Sequence, residues 1–401
     1  VKKRRRLVHP DAAPVAPKKT YTDGIDFKRL LRPKEPVPEK VLTVPVNPDG
    51  SLRFMDVGEF QALGNALAGI PNPEAFWDML RDGVTQGFFE NMVCPERVRL
   101  KYREGWTQTR FKGAMKFGDV IHNALDVAYT TYRDTRNPTL AVVSTQGTLD
   151  ADEFITRQAL KEEGGLSQVE EELEEIYGTA AILLHHYWKA WEGDFNGSMQ
   201  WETLEQTFSV PYEFTSEKYG RVVIPIRGKI DATYRVKNGR LWVLDHKSKS
   251  QINEGSISDR LPYDLQTMLY AWAVWKLTGE KPAGVLYNVM RRPQLRRKQS
   301  ENLSQFLERV NGDVEKRREF YFVRFEAPIM PKGLEAFEKE LDSLVRLAHA
   351  WYRGAFHYRF SPACDTKYGA CEFLPVCGRA DFSRLHKRDV PFPELIQVEV
   401  D

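Results

Sequence analysis

The sequence predicts a mixed α/β fold on three observations. Apolar residues recur at helical spacing over much of the first half, β-type runs cluster around an Asn238-Gly239 pair, and helix-like and strand-like segments alternate after it. Residues 1–40 carry Lys2, Lys3, Arg4, Arg5 and Arg6 ahead of a Pro/Ala/Lys-rich stretch with few large apolar side chains. That composition reads as a disordered basic arm, either a solvated tail or a contact for nucleic acid or targeting. From about 56 to 136 the pattern is helical: Phe88, Phe89, Met92, Val93, Val98 and Leu100 surround Cys94, and Phe117, Val120, Ile121, Leu125 and Tyr129 keep the helical period. A charged helix is expected around 168–192, with Glu170–Glu175 as its solvated face. Strands are expected near 201–211, 222–236 and 240–246, the last two joined by a tight turn at Asn238-Gly239. Tyr263–Lys276 is an amphipathic helix with Leu265, Met268, Leu269 and Trp275 apolar. A strand near 283–290, a helix near 301–317, a strand near 320–326 and a long helix near 332–353 lead to a cysteine cluster. The expected organisation is one domain over 41–390, with a helical part at about 56–195, a core at about 200–330, a cysteine-bearing end at about 331–390, and a tail at 391–401.

The 401 residues are 42% apolar and 28% charged, the composition of a soluble globular protein with a large core. No window approaches the roughly 18–20 apolar residues of a membrane span, and the basic start lacks an apolar signal region. The expectation is a protein without anchor or signal peptide, in the cytoplasm of a bacterial or phage-infected host cell. A net charge of +2 leaves any nucleic-acid surface to local patches and metal. Four cysteines are too few for a disulfide scaffold.

The stretch from Gly228 to Lys247, GKIDATYRVKNGRLWVLDHK, holds the most specific chemistry. Asp231 lies on its first strand; Asp245 and Lys247, two apart, share one face of the second. Two carboxylates and an amine at a hairpin end make a compact oxygen site for a divalent metal, beside a cation able to orient or deprotonate water. Taken alone, Asp-x-Lys is equally a surface pair. Gly118-Asp119-Val120-Ile121-His122 opens a helix whose histidine is either a core residue or an imidazole ligand. Gln266 and Tyr270, four apart, share one helix face, and alone they read as packing.

In chain order, Gly118/His122, Gly228/Asp231, Asp245/Lys247 and Gln266/Tyr270 resemble the PD-(D/E)XK nuclease superfamily, in its RecB/AddB-like branch that also holds the CRISPR adaptation nucleases. The resemblance spans roughly residues 85–380. It implies a restriction-endonuclease-like core, a central mixed sheet flanked by helices. It further implies that His122, Asp231, Asp245 and the backbone carbonyl of His246 bind Mg²⁺ or Mn²⁺, that Lys247 positions the attacking water, and that Gln266 and Tyr270 position Lys247 and the substrate strand. Glu205, on the strand before the hairpin, is either a further active-site acid or a solvent-facing residue. Lys249 faces the same side as Lys247, as a phosphate contact or a solvated lysine.

Cys364, Cys371 and Cys377 follow the spacing Cys-x6-Cys-x5-Cys, with Cys94 far upstream. Thiols kept reduced in a protein without a secretory signal point to metal ligation, as Zn²⁺ or an iron–sulfur cluster. Paired Cys-x2-4-Cys knuckles are absent, and NMVCPERVRLKYREG resembles the early Cys-Pro helix of the iron–sulfur members of the branch. The resemblance implies a [4Fe–4S] cluster clipping the two ends of the domain together, with zinc as the alternative. The run RRPQLRRK supplies Arg291, Arg292, Arg296, Arg297 and Lys298 as a candidate phosphate-backbone grip, or a solvated loop. Trp106, Trp188 and Trp191 are candidates for base stacking or for the core. No Walker A pattern is present, which implies a stand-alone nuclease or one served by a separate helicase or recombination protein. The expected activity is a metal-dependent exonuclease on single-stranded DNA ends, in recombination, repair or phage DNA processing. The alternative is a non-catalytic DNA-binding or assembly subunit of the same fold.

Overall fold

The computed structural model describes residues 72, 74–108, 111–354, 358–366 and 369–395, all within the unit Thr43–Asp401. The expected basic arm and most of the expected tail lie outside the described residues. In chain order the strands up to Pro328 are β1 (Val84–Thr85), β2 (Trp106–Gln108), β3 (Met199–Ser216), β4 (Gly220–Val236), β5 (Leu241–Lys249), β6 (Gly284–Arg291) and β7 (Phe322–Pro328). The long helices are α1 (Gly113–Thr135), α2 (Pro138–Glu162), α3 (Leu166–Ala190), α4 (Leu265–Thr278), α5 (Leu303–Lys316) and α6 (Pro331–Gly354).

All these strands except β2 join one mixed sheet. β3 runs antiparallel to the whole of β4, from Met199 opposite Val236 to Ser216 opposite Gly220. On its other edge β4 pairs first with β5, from Arg235↔Leu241 to Ala232↔Leu244. Further along, the same edge takes β1 in parallel at Val84↔Ile226 and Thr85↔Arg227. β4 and β5 therefore part beyond Ala232 and Leu244, and β5 continues alongside β6 alone as far as Lys249↔Arg291. β7 closes the far edge antiparallel to β6.

Local chemistry explains the connections. The β4–β5 turn closes by Gly239 N–H on the Val236 carbonyl at 2.8 Å, with Gly239 at φ 79°, where a side chain would be strained. Parallel β5 and β6 require a crossover, which α4 supplies. Asp264 caps that helix by accepting from Thr267 N at 3.1 Å, and Gly279 ends it at φ 76°.

Each face of the sheet is covered. Ile224, Ile226, Val243 and Val285 pack against Leu269 and Trp272 of α4 and Leu341, Val345 and Trp351 of α6. Ala232, Tyr234, Leu244, Leu286 and Met290 pack against Phe117, Val120 and Ile121 of α1, Leu184 of α3 and Phe306 and Val310 of α5. Residues two apart on a regular strand share a face. Ile230 joins the first layer and Ala232 the second, so the alternation of β4 breaks at Asp231.

Two parts of the chain differ from expectation. The single helical reading of the segment before α1 is corrected for its described part: 79–108 is broken into Met79–Asp82, β1, Gln86–Asn91, Pro95–Val98, the turn Arg99–Arg103 and β2. Gly83 at φ 74° stops the first piece, and Pro95 opens a new one after extended Cys94. Helix α2 falls within the expected helical part at about 56–195 but has no expected element of its own, because its buried stripe is only Ala141, Thr145 and Leu149, too thin to register as a period. This broken early segment meets the far end of the chain. β2 pairs antiparallel with Leu385–Lys387, Arg388 N donates to the Gly105 carbonyl at 2.8 Å, and Glu96 N donates to the Tyr358 carbonyl at 3.3 Å. Among the described residues no helix is long and apolar enough to cross a membrane.

On α6, His349 is 4% exposed between the rings of Phe214 and Tyr219 and accepts from Arg353 Nε at 3.3 Å. Burial, then Arg353, pushes its imidazole down to about 4. Between there and the ordinary value near 6.5 the unfolded chain binds the extra proton, so stability falls as pH drops through that window. His349→Phe is expected to remove about 2 kcal/mol of the stability lost between pH 7 and pH 5. Urea midpoints of both proteins at the two pH values measure it.

Candidate active site

Where β5 leaves β4, backbone groups that would have paired across the ladder need other partners. The His246 N–H donates to Asp231 Oδ2 at 2.6 Å, so a carboxylate side chain takes the place of a backbone acceptor. This one bond draws the two strands of the hairpin together at their acidic residues. Asp231 and Asp245 are 8% and 2% exposed. On the next outward position of β5, Lys247 Nζ donates to Asp245 Oδ1 at 2.7 Å.

α1 approaches this fork closely. A side chain on Gly118 would bring its Cβ within 3.1 Å of Ser248 Oγ, so glycine there lets the helix lie against β5. One turn on, His122 Nδ1 stands 3.7 Å from Asp231 Oδ2. Gly228 plays the corresponding part on β4: an added Cβ would sit 2.6 Å from the Phe208 ring.

Glu205 comes from the neighbouring strand. It sits opposite the break in β4, at φ 45°, in the left-handed region that a non-glycine residue seldom adopts. Its carboxylate is ion-paired with Lys229. Ligand atoms of His122, Glu205 and Asp231 all lie within 4.8 Å of one another, and they are the group so gathered among the described residues. Asp245 is outside that group, with its oxygen on Lys247.

The electrostatics follow from three acids in a nearly dry fork. Burial, with Asp231 adding to it, pushes Asp245 up to about 6 against the pull of Lys247. Burial and the charge of Asp231 push Glu205 up to about 7, and burial raises Asp231. His122 goes the other way, down to about 4, from burial and then Lys247. Burial pushes the Lys247 ammonium down, but Asp245 and Asp231 outweigh it and the net shift is upward. A neutral imidazole and carboxylates crowded enough to resist ionising are the donors a hard divalent cation would satisfy. The fit is to a hard divalent cation, with His122, Glu205 and Asp231 as the gathered side chains able to hold it and Asp245 beside them.

The remaining sequence candidates fall in several places. Gln266 Nε2 donates to Tyr270 OH at 2.9 Å on α4, and Tyr270 feels the charges of both Asp245 and Asp231, which with its burial raise the phenol well above its ordinary value. Lys249 reaches the Tyr287 hydroxyl, and the same ring lies 6.0 Å below Lys247 Nζ. Arg291 is buried on the Phe320 ring and paired with Glu254; Arg297 is within 3.5 Å of Glu171. Arg292 lies half-buried over Phe117, its backbone N–H on the Lys249 carbonyl at 2.9 Å, while Arg296 and Lys298 are exposed. Trp188 is buried in the core, Trp191 lies under the Arg324 guanidinium at 4.0 Å, and Trp106 under Lys387 at 4.2 Å.

The cysteines come from the two ends that meet. Cys94 precedes Pro95–Val98, and Cys371 N donates to the Cys364 carbonyl at 2.7 Å. Cys371 and Cys377 pack at the edge of a small cluster of Leu100, Phe373 and Val376. Burial raises the Cys377 thiol, with Glu96, Cys371 and Cys94 adding to the effect. Sequence reasoning missed Asn288, Tyr187, Tyr129, Asp194 and Arg324, which lie behind His246. No local spacing announces them, because they come from five separate elements.

Comparison with known proteins agrees with the geometry. No curated protein matches the chain. A solved structure titled "Crystal structure of SSO0001" is similar at 17% identity over 56% of this chain and 80% of that one, with a TM-score of 0.26, too low to bear on the argument. A family model described as the PD-(D/E)XK nuclease superfamily matches residues 91–378, a span that contains β3 to β7, the fork and all four cysteines. With well over half of its 401 residues matched and its acids gathered where β4 and β5 part, the chain belongs to the PD-(D/E)XK nuclease superfamily.

Proposed function

We propose that this nuclease-family chain is a Mg²⁺- or Mn²⁺-dependent deoxyribonuclease that degrades single-stranded DNA from its ends, in recombination, repair or phage DNA processing. The observation that carries the reading is the convergence of His122, Glu205 and Asp231 beside the bonded pair Asp245–Lys247. When bound, the cation supplies Lewis acidity, offsetting phosphate charge and lowering the pKa of water. The chain's own part is positional. Asp231 is held by the His246 peptide, and Lys247 is a donor-rich cation aimed along Asp245, suited to orient water and to offset charge building on the phosphate. The exposed Arg296 and Lys298 beyond β6 provide sequence-tolerant phosphate contacts. A separate helicase or recombination protein would deliver the strand.

The four cysteines would hold a [4Fe–4S] cluster that fastens the Cys94 segment to the chain after α6. Supporting this, the segment after Cys94 meets the end of the described chain, and Cys371 and Cys94 both act on the Cys377 thiol.

Asp245→Ala and Lys247→Ala are each expected to lower Mg²⁺-dependent cleavage by about 10³-fold or more while leaving single-stranded DNA binding intact. Digestion of 5′- and 3′-labelled single- and double-stranded substrates, run side by side, measures this and the polarity; undiminished cleavage by the purified variants would remove the assignment. Glu205→Gln is expected to weaken Mn²⁺ binding about tenfold, read by titration calorimetry. Cys377→Ser, purified without oxygen, is expected to lose visible absorbance and iron together. Equal absorbance in variant and wild type contradicts the cluster, and zinc in place of iron favours the alternative metal.

A further inference from the structure

Behind the fork lies a buried polar chain that the nuclease chemistry above does not use. His246 points away from Asp245 and Lys247, into the layer formed by α1, α3 and α5, where it is 4% exposed. Its Nδ1 is 2.7 Å from Asn288 Nδ2, and its ring stacks on Tyr129 with centroids 5.6 Å apart. Asn288 Nδ2 also donates to Tyr187 OH at 2.9 Å, and Arg324 Nε donates to Asn288 Oδ1 at 3.0 Å. Arg324 then grips Asp194 through both guanidinium ends at 2.8 and 2.5 Å. Tyr129 OH donates to Asp194 Oδ2 at 2.5 Å and lies 2.7 Å from Tyr187 OH.

Every proton in this chain can be assigned. Arginine only donates, so the Asn288 oxygen must face Arg324 and its NH₂ must face His246. His246 Nδ1 is then an acceptor, and the ring is neutral with its proton on Nε2. Tyr129 gives its proton to Asp194, and Tyr187 gives its own to Tyr129. The ionic end, Asp194–Arg324, joins residues 130 apart in sequence and orients Asn288 from behind.

We propose that Asn288 is a positioning residue for the metal centre: by fixing His246 in one tautomer and one rotamer, it sets the peptide between Asp245 and Lys247. That peptide is the pivot of the site. Its N–H holds Asp231, and its backbone lies within hydrogen-bonding reach of the His122 ring. On the side where β5 has left β4, no ladder steadies it. An apolar residue could fill the space of Asn288 without the desolvation that a buried network demands. The network ends on His246, whose N–H holds Asp231 and whose backbone lies within reach of His122. The inference rests on the reading of the fork as a divalent-metal site.

The test measures Mn²⁺ binding to the full chain by electron paramagnetic resonance, with the tautomer of His246 read from ¹⁵N shifts of histidine-labelled protein. Asn288→Leu is expected to weaken Mn²⁺ binding about tenfold. His246→Leu is expected to do the same, and the double variant is expected to be no weaker than either single one, since one residue acts through the other. Asn288→Asp keeps the shape and the Arg324 bond but offers His246 an acceptor, so the imidazole proton is expected to move to Nδ1 while the fold is kept. Wild-type Mn²⁺ affinity in Asn288→Leu, full additivity in the double variant, or an unmoved tautomer in Asn288→Asp would each overturn the proposal. Absence of Mn²⁺ binding by the wild type would instead remove the metal reading beneath it, a result distinct from those three.

Discussion

The hydrogen bond from the His246 N–H to the Asp231 carboxylate is the interaction on which the rest of the site depends. A sheet whose central strands part has to satisfy the freed backbone groups, or bury them at a penalty of a few kcal/mol each. Here a side chain bridges the gap. The solution leaves a wedge between β4 and β5, wide enough to admit His122 from one side and lined by Asp245 and Lys247 on the other. Fold and chemistry are therefore the same fact seen at two scales. The divergence that breaks the ladder also creates the cluster.

The distribution of charge makes sense in that light. Three carboxylic acids share a fork with two lysines, and each lysine is committed to one acid: Lys247 to Asp245 and Lys229 to Glu205. Asp231, between them, has a peptide N–H and a neutral imidazole for company. Burial raises it against the pull of both Lys247 and Lys229. Burial thus crowds three acids at the fork, while the aromatic and ionic scaffold around Arg324 and Asp194 lies on the other face of the sheet.

Much of this was legible in the sequence. The hairpin and the five later elements are set by local signals: a glycine in a turn, alternation on strands, four-residue spacing on helices; the order of Gly118/His122, Asp231, Asp245/Lys247 and Gln266/Tyr270 is read from its resemblance to the family. Glu205 could be noticed but not decided, because its orientation depends on a backbone kink at φ 45° opposite a break in β4, and neither has a compositional signature. The basic run illustrates the opposite failure. Charge count alone cannot distinguish Arg291, folded onto Phe320 and Glu254, from exposed Arg296. Asn288 was invisible for a third reason: its partners come from α3 and from the neighbouring strands β5 and β7, so nothing near it in the chain reveals its role.

The pairing of the early broken segment with the end of the described chain has a consequence for how the protein comes into being. Lys387 reaches the Glu104 carbonyl and Arg388 the Lys101 carbonyl across separations of 283 and 287 residues. During synthesis, residues 94–108 emerge well before Leu385–Arg388 and cannot make these contacts until the strands of the sheet have followed. They wait while the sheet assembles, and their docking is a late event that depends on contacts of very high sequence separation. A ribosome that stalls or terminates after α6 would release a chain with its sheet complete and its first cysteine unescorted. Closure of β2 onto Leu385–Lys387 thus separates a chain that has passed well beyond α6 from one that has not, and ties the early segment to residues far from it in the described sequence.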